Sequence, residues 1–415
     1  MKKLEDIDKS YFGPRMSDGA GVFVAGFVFL YIFQIVLLLI AELNGINLDE
    51  PPVWFNWIMM VVNQAALVSA VAAYSAVSHK RLLEESRITR KLNYKQALII
   101  PVIALASILA FLPLAEGFVR LIYLITKGSP SGGLDIGTKW WEIIISVVFV
   151  AVLPAIGEEL LFRAGVARGL KRKNYLFAII MSGLLFSIFH GNAEQTVHQF
   201  FIGMVFAYLY FVTGSLLASM ICHFANNAFV IIFSAITSSK NVKMSPAVEI
   251  SMYIGMFVVG IVALYFLLGY IMKLSKDAKY KEKTKYQLNW LKDLSNTLKN
   301  LFDDPCDGIS LDYDLEKKGA QADNANDQSK YTSQMPANEF NSQNQQTISQ
   351  NSNNGQNLQK TNKNVNNSQD NQMDKLLEEA NLQTIKKRNK FDWYALIAAT
   401  GISLAVWIIN LVAQV

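Results

Sequence analysis

The stretch Trp140–Arg163, WWEIIISVVFVAVLPAIGEELLFR, decides how the chain must be read. Its first part, Trp140–Ile156, is about 17 apolar-dominated residues, and Gly157–Arg163 then brings two adjacent glutamates and an arginine. About 20 apolar residues cross the ~30 Å of bilayer hydrocarbon. An ionisable side chain within such a span costs roughly 2.5–3.5 kcal/mol on insertion scales, so it is usually kept for a purpose. The stretch therefore reads as a membrane helix with a polar site built into it.

The rest of the chain agrees with that reading. Of 415 residues, 52% are hydrophobic and only 17% charged, against roughly 25% charged in soluble domains. Apolar runs near 20–41, 54–74, 97–124, 140–162, 175–190, 197–212, 216–236, 250–272 and 393–412 predict nine membrane helices, the fifth and sixth being short. The expected fold is an all-α polytopic membrane protein, an eight-helix bundle with a tethered ninth C-terminal helix. The first run is too long for a signal-peptide core and starts some 20 residues in, so no cleavable leader is expected. Cys222 and Cys306, in a span and in a polar tail, offer neither a disulfide framework nor a cysteine zinc site. Cys222 reads as a small core residue.

The net charge of +5 is no nucleic-acid signal, because its distribution follows the positive-inside rule. Basic clusters precede the first span (Lys2, Lys3, Lys9, Arg15), fill loop 79–95, follow the fourth span (Arg168, Lys171, Arg172, Lys173) and open at Lys273. Loops 43–52 and 191–196 hold no Lys or Arg. The N-terminus and the long tail are expected in the cytoplasm and the extreme C-terminus outside, in the plasma membrane.

Segment boundaries follow composition. Residues 1–273 form the bundle, with the polar core at about 140–235; 274–319 is a charged cytoplasmic segment. Within it, 276–301 reads as a surface amphipathic helix, 276–285 as a stretch able to bind anionic lipid, and 303–314 as acidic and turn-rich. Residues 320–373 are Asn/Gln/Ser-rich and cannot bury enough apolar surface to fold. A charged juxtamembrane segment, 374–390, leads into the last helix, 391–415. Pro101 and Pro113 predict a kink or break in the third span. Pro154 frees the carbonyl of Val150, four residues earlier, and so predicts a bend beside the carboxylates. Transporter-like internal repeats are absent from the sequence.

Three pairs of residues four apart carry the chemistry. On a helix Glu159 and Arg163 share a face and are expected to pair, which leaves Glu158, ~100° round, as the candidate general base. Phe186 and His190 share a face of the fifth span, and His223 and Asn227 a face of the seventh. An imidazole and a carboxamide aimed at one point can donate to a developing oxyanion. Counting helix rises puts Glu158 and His190 roughly 18 and 24 Å from the turn between their spans, and His223 at ~14 Å. These depths allow one cavity within the membrane, expected to be reached from the cytoplasmic side. His198, eight residues past His190, is a weaker candidate for the same cavity; His79 falls in a basic loop and reads as solvated.

At these residues the chain resembles the CPBP family, also called Abi, of CAAX proteases and bacteriocin-processing enzymes. The family pattern is Glu-Glu-x-x-x-Arg, Phe-x-x-x-His and His-x-x-x-Asn. Glu158-Glu159 with Arg163, Phe186 with His190, and His223 with Asn227 match all three over about residues 140–235. The polar tether and ninth helix fall outside the resemblance. PrsW-like proteases differ, with a lysine in the first motif and acidic residues later. The resemblance implies an intramembrane endopeptidase acting on a lipidated tail or a bacteriocin- or pheromone-type peptide. Glu158 and His190 would activate water, His223 and Asn227 would hold the oxyanion, and Glu159, Arg163 and Phe186 would support them. The family is commonly labelled metallo. Here no His-Glu-x-x-His is present, so no metal is favoured, with zinc on Glu158, His190 and His223 as the alternative. A non-catalytic immunity or scaffold protein and a proton-coupled transporter are the competing readings.

Overall fold

The computed structural model describes residues 14–78, 82, 86–126, 139–171, 175–238, 245–275 and 390–411. The predicted segments within 276–389, together with His79 and Cys306, lie outside the described residues. Among those described there are nine principal helices and no strand. They are α1 Met16–Leu43, α2 Val53–Ser78, α3 Tyr94–Thr126, α4 Trp140–Leu170, α5 Tyr175–Phe189, α6 Thr196–Thr213, α7 Leu216–Ser238, α8 Pro246–Leu274 and α9 Lys390–Leu411. All but α5 are long and apolar enough to cross a membrane; α5 has only 15 residues. The protein is a polytopic all-α membrane protein, as its composition predicts.

Small residues let the helices touch. In lipid there is little hydrophobic drive between helices, so close backbone approach and dispersion hold them together. A Cβ on Gly183 of α5 would stand 2.7 Å from the Phe200 carbonyl of α6, and one on Gly203 3.0 Å from the Phe186 ring. Gly19 of α1 meets the backbone of α4 at Val166 and Gly169, and Gly260 of α8 lies on the backbone of α3 at Ala110. At the start of α1, Asp18 accepts the Arg15 N–H (2.7 Å) and the Tyr74 hydroxyl (3.2 Å), which caps the helix and ties it to α2.

Two proline expectations resolve differently. α3 runs unbroken through Pro101 and Pro113, because α6, α7 and α8 pack along it and hold the helix where intrahelical bonds are missing. Of the expected kink or break, the break does not occur. α4 departs from regular helix twice: wide π-type turns at Val147–Val152 and Leu160–Ala167 flank the α-helical Leu153–Glu159. Such turns are frequent at functional sites.

α9 does more than close a tether. The Trp393 ring meets Phe177 of α5 at 5.7 Å, Leu396 and Ala399 are buried, and Trp407 Nε1 donates to Thr196 Oγ1 at 3.0 Å. It docks along α5 and the start of α6. The sequence could not show this, because a long polar linker leaves open what its span packs on.

Gly183→Val should force α5 and α6 apart. Overpacking of this kind costs typically 1–3 kcal/mol. The expected result is a lower thermal-unfolding midpoint in detergent and a smaller monodisperse fraction; an unchanged midpoint would contradict the close packing of these helices.

Candidate functional site

The site is built where α4 changes from α to π geometry. Glu159 and Arg163 lie one turn apart and are both fully buried. Glu159 Oε1 forms an ion pair with Arg163 Nη1 (3.0 Å) and accepts from His223 Nδ1 (2.9 Å). Arg163 Nη2 donates to the Gly203 carbonyl at 3.0 Å. Its guanidinium lies over the Phe186, Phe206 and Phe162 rings at 4.8, 5.2 and 5.8 Å. Rings that present their negative faces to a desolvated cation stabilise it. This network holds a charge pair in an apolar interior and uses it to orient His223.

Both histidines are held in one tautomer by what their Nδ1 atoms do. Carboxylates and carbonyls only accept, so His223 Nδ1–H donates to Glu159, and His190 Nδ1–H donates to the Phe186 carbonyl at 2.7 Å. In the neutral rings each Nε2 is then a bare lone pair. Both lone pairs face the same atom: Glu158 Oε2 lies 3.9 Å from His190 Nε2 and 3.8 Å from His223 Nε2. That oxygen is buried without a hydrogen-bond partner among the described residues. Glu158 Oε1 accepts from Gln64 Nε2 at 3.4 Å. The side chains of Glu158, His190 and His223 are 13%, 18% and 4% exposed, so the cluster is sheltered and still reachable.

Rings fix the imidazoles further. Phe206 stacks on His223 (4.7 Å, 20°), while Phe186 meets His190 edge-on at 4.7 Å and His223 at 5.8 Å. His190 itself sits just past α5, in a turn that Gly191 closes at φ +61°. That turn is tied to α6 by Ser187 Oγ donating to the Thr196 carbonyl (2.6 Å). The Asn410 amide of α9 packs onto Gly191.

Asn227 is placed differently from Glu158's neighbours. Its amide donates to the Val150 carbonyl at 2.9 Å, the carbonyl that Pro154 deprives of its helical partner. Its Oδ1 accepts from Asn226 Nδ2 at 3.1 Å. The structure thus brings Glu158, His190 and His223 to one point, pairs Glu159 with Arg163, and sets Phe186 between the rings. Asn227 has one amide hydrogen beyond the one given to Val150. The orphaned carbonyl predicted from Pro154 exists, and a side chain of α7 fills it.

Several contributors escaped the sequence reading. Gln64 lies in an Asn-Gln pair inside an apolar helix, a polarity signal that could have found it. Asn226 carried no such signal; it lies beside His198, the weaker candidate of the sequence, whose ring nitrogens are buried. Phe206 and the Gly203 carbonyl carried no signal. A separate crevice lined by Arg87, Arg168, Lys171, Tyr175, Tyr210 and Phe211 lies at the basic end of the bundle, and none of the residues around Glu158 lines it.

Zinc takes carboxylate oxygen and imidazole nitrogen at about 2.0–2.2 Å in a tetrahedron, which sets ligand atoms about 3.4 Å apart. The two Nε2 atoms stand 3.8 and 3.9 Å from Glu158 Oε2. No group of three or more His, Cys, Asp or Glu among the described residues is disposed to hold an ion. Those two gaps exceed the tetrahedral spacing by about 0.4–0.5 Å. These gaps are longer than a direct hydrogen bond.

Comparison with known proteins bears on the same residues. Residues 139–229 match the family model of type II CAAX prenyl endopeptidases, Rce1-like. The match covers well under half of the chain, yet it includes every residue of the three motifs. At family level it supports a CAAX-type intramembrane protease, in agreement with the resemblance the motifs carry. No curated protein and no solved structure matches the chain.

Two substitutions test this geometry. Removing one partner of a buried ion pair costs about 3–5 kcal/mol, so Arg163→Met should leave little folded protein in a thermal melt. Gly157→Ala places a Cβ 2.4 Å from Gln64 Oε1; Gln64 must leave Glu158, and activity should fall several-fold with the melting point little changed. Unaltered activity in Gly157→Ala would show that Gln64 does not position the carboxylate.

Proposed function

We propose that the chain is an intramembrane endopeptidase whose water is activated by Glu158 and His190. One observation carries the reading: a buried carboxylate oxygen without a hydrogen bond lies 3.9 and 3.8 Å from the Nε2 atoms of two imidazoles. The substrate water is held between Glu158 Oε2 and His190 Nε2. Glu158 takes its proton while the oxygen bonds to the scissile carbonyl carbon, and the carbonyl electron pair moves onto oxygen. The remaining amide hydrogen of Asn227 donates to that oxyanion; His223 Nε2, a lone pair in the neutral ring, becomes a second donor only after the ring has taken a proton from solvent. The carbonyl then reforms, the C–N bond breaks, and Glu158 returns its proton to the departing nitrogen. No step requires a metal.

The multi-pass membrane location agrees with the apolar helices. For orientation, the positive-inside rule supports cytoplasmic basic loops, with the segment before α1 and the tail on that side. The substrate class this reading calls for is a membrane-tethered peptide or protein tail.

General-base groups contribute typically 10²–10⁴-fold. Glu158→Gln, close in shape, should therefore abolish detectable cleavage while membrane insertion and thermal stability stay near wild type. Peptides from membranes and medium, compared by mass spectrometry between the two proteins, read the result. Identical peptide sets would favour a binding or immunity role over a catalytic one.

A further inference from the structure

The two imidazoles beside Glu158 are held by different means. His223 lies within α7 and is fixed by Glu159 and the Phe206 ring, all inside the stretch that matches the family model. His190 lies past the last residue of α5, in a turn. Its ring bond to the Phe186 carbonyl runs back along that same short element. Where the ring stands relative to α4 therefore depends on how the turn is tied. Ser187 Oγ donates to the Thr196 carbonyl (2.6 Å), Thr196 Oγ1 to the Asn192 carbonyl (3.0 Å), and the Glu194 N–H to Asn192 Oδ1 (2.8 Å). From α3, the Tyr123 hydroxyl bonds Glu194.

α9 adds two ties from the other side. Thr196 gives its one hydroxyl hydrogen to Asn192, so its oxygen is left to accept, and Trp407 Nε1 supplies the donor at 3.0 Å. Three residues on, Asn410 Nδ2 stands 2.5 Å from where a Cβ on Gly191 would be. Gly191 directly follows His190. Leu396, Ala399 and Ser403 are buried, and with Trp407 and Asn410 they recur every three or four residues, so all five share one face of α9. Ile408 and Ile409, off that face, are exposed. A tryptophan near the end of a span ordinarily anchors at the headgroup level; this indole turns inward and spends its N–H on the turn. Residues 275–389 lie between α8 and α9 in the sequence, so no short connection carries α9 to this place.

We infer that Trp407 and Asn410 are positioning residues for His190, which makes α9 part of the peptidase site. The inference rests on the protease reading. Water activation there needs His190 Nε2 beside Glu158 Oε2, and the two stand 3.9 Å apart. Such a group must be held within about 0.5 Å by the residues around it, and a misplacement of about 1 Å can cost about 100-fold in rate. Without the Trp407 donor and the Asn410 amide, the turn loses its ties to α9. His190 then moves relative to Glu158, while the Glu159–His223 bond is untouched. Residues 139–229 alone do not set the whole site in this chain, because a helix outside them fixes one of its imidazoles.

Magnetic resonance on the full chain in detergent, with isotope-labelled histidine, tests this. Trp407→Phe keeps a ring and removes the donor, Asn410→Ala removes the amide, and Ile409→Ala, off the docked face, is the control. The His190 ring signals, identified by their loss in His190→Gln, should shift in the first two variants and not in the control, with those of His223 unmoved. On the peptide whose cleavage Glu158→Gln abolishes, kcat in Trp407→Phe should fall about tenfold or more, with KM and melting point near wild type. Thr196→Val removes the acceptor, so adding Trp407→Phe to it should cost nothing further. Unmoved His190 signals, a wild-type kcat, or losses in Trp407→Phe and Thr196→Val that simply add overturn the inference. Should Trp407→Phe not fold, Asn410→Ala decides by the same signals. The two readings fail separately. The ring signals report placement without any cleavage, while an unchanged peptide set in Glu158→Gln removes the protease itself.

Discussion

The buried ion pair between Glu159 and Arg163 is the constraint from which the site follows. Neither charge tolerates an apolar interior alone, and each is held beside the other although Glu159 Oε2 and Arg163 Nε find no hydrogen bond among the described residues. Arg163 is enclosed by three phenylalanine rings and a backbone carbonyl, and Glu159 Oε1 accepts from His223. The tautomer of His223 is thereby set, and its Nε2 is turned toward Glu158. A structural pair on α4 thus prepares a chemical group on α7. This also explains why the two adjacent glutamates have different tasks: the ~100° step between neighbours on a helix puts one into the charge network and the other into the pocket.

The backbone of α4 makes a second contribution. Pro154 removes a donor, wide turns flank the glutamates, and the freed Val150 carbonyl is met by Asn227. An amide held this way is fixed before any substrate arrives, which is what preorganised stabilisation of a developing charge requires. It also couples α7 to α4 through one hydrogen bond, so loss of Asn227 would disturb both the oxyanion side and the helix that carries Glu158. Gly157, against which Gln64 packs, shows the same economy: a missing side chain makes room for a polar one beside the base.

How much of this was legible beforehand depended on spacing. Pairs four residues apart on helices were readable, so the Glu159–Arg163 pair and the edge-on packing of Phe186 against His190 follow from sequence and are found at 3.0 and 4.7 Å. The apolar runs likewise marked the helices, because a bilayer leaves few alternatives for a long apolar segment. Tertiary choices were not readable. Nothing local in α2 says that Gln64 meets Glu158, and nothing in α9 says that Trp407 reaches Thr196. The unbroken α3 shows neighbours overriding a strong local signal at Pro101 and Pro113.

The account makes a carboxylate and an imidazole, with no ion between them, responsible for activating water. Metal content measured on purified, active protein before and after chelation is its most direct test. The account predicts cleavage that survives chelation, with zinc well below one per chain. One zinc per chain, whose removal abolishes cleavage and whose return restores it, would contradict the account.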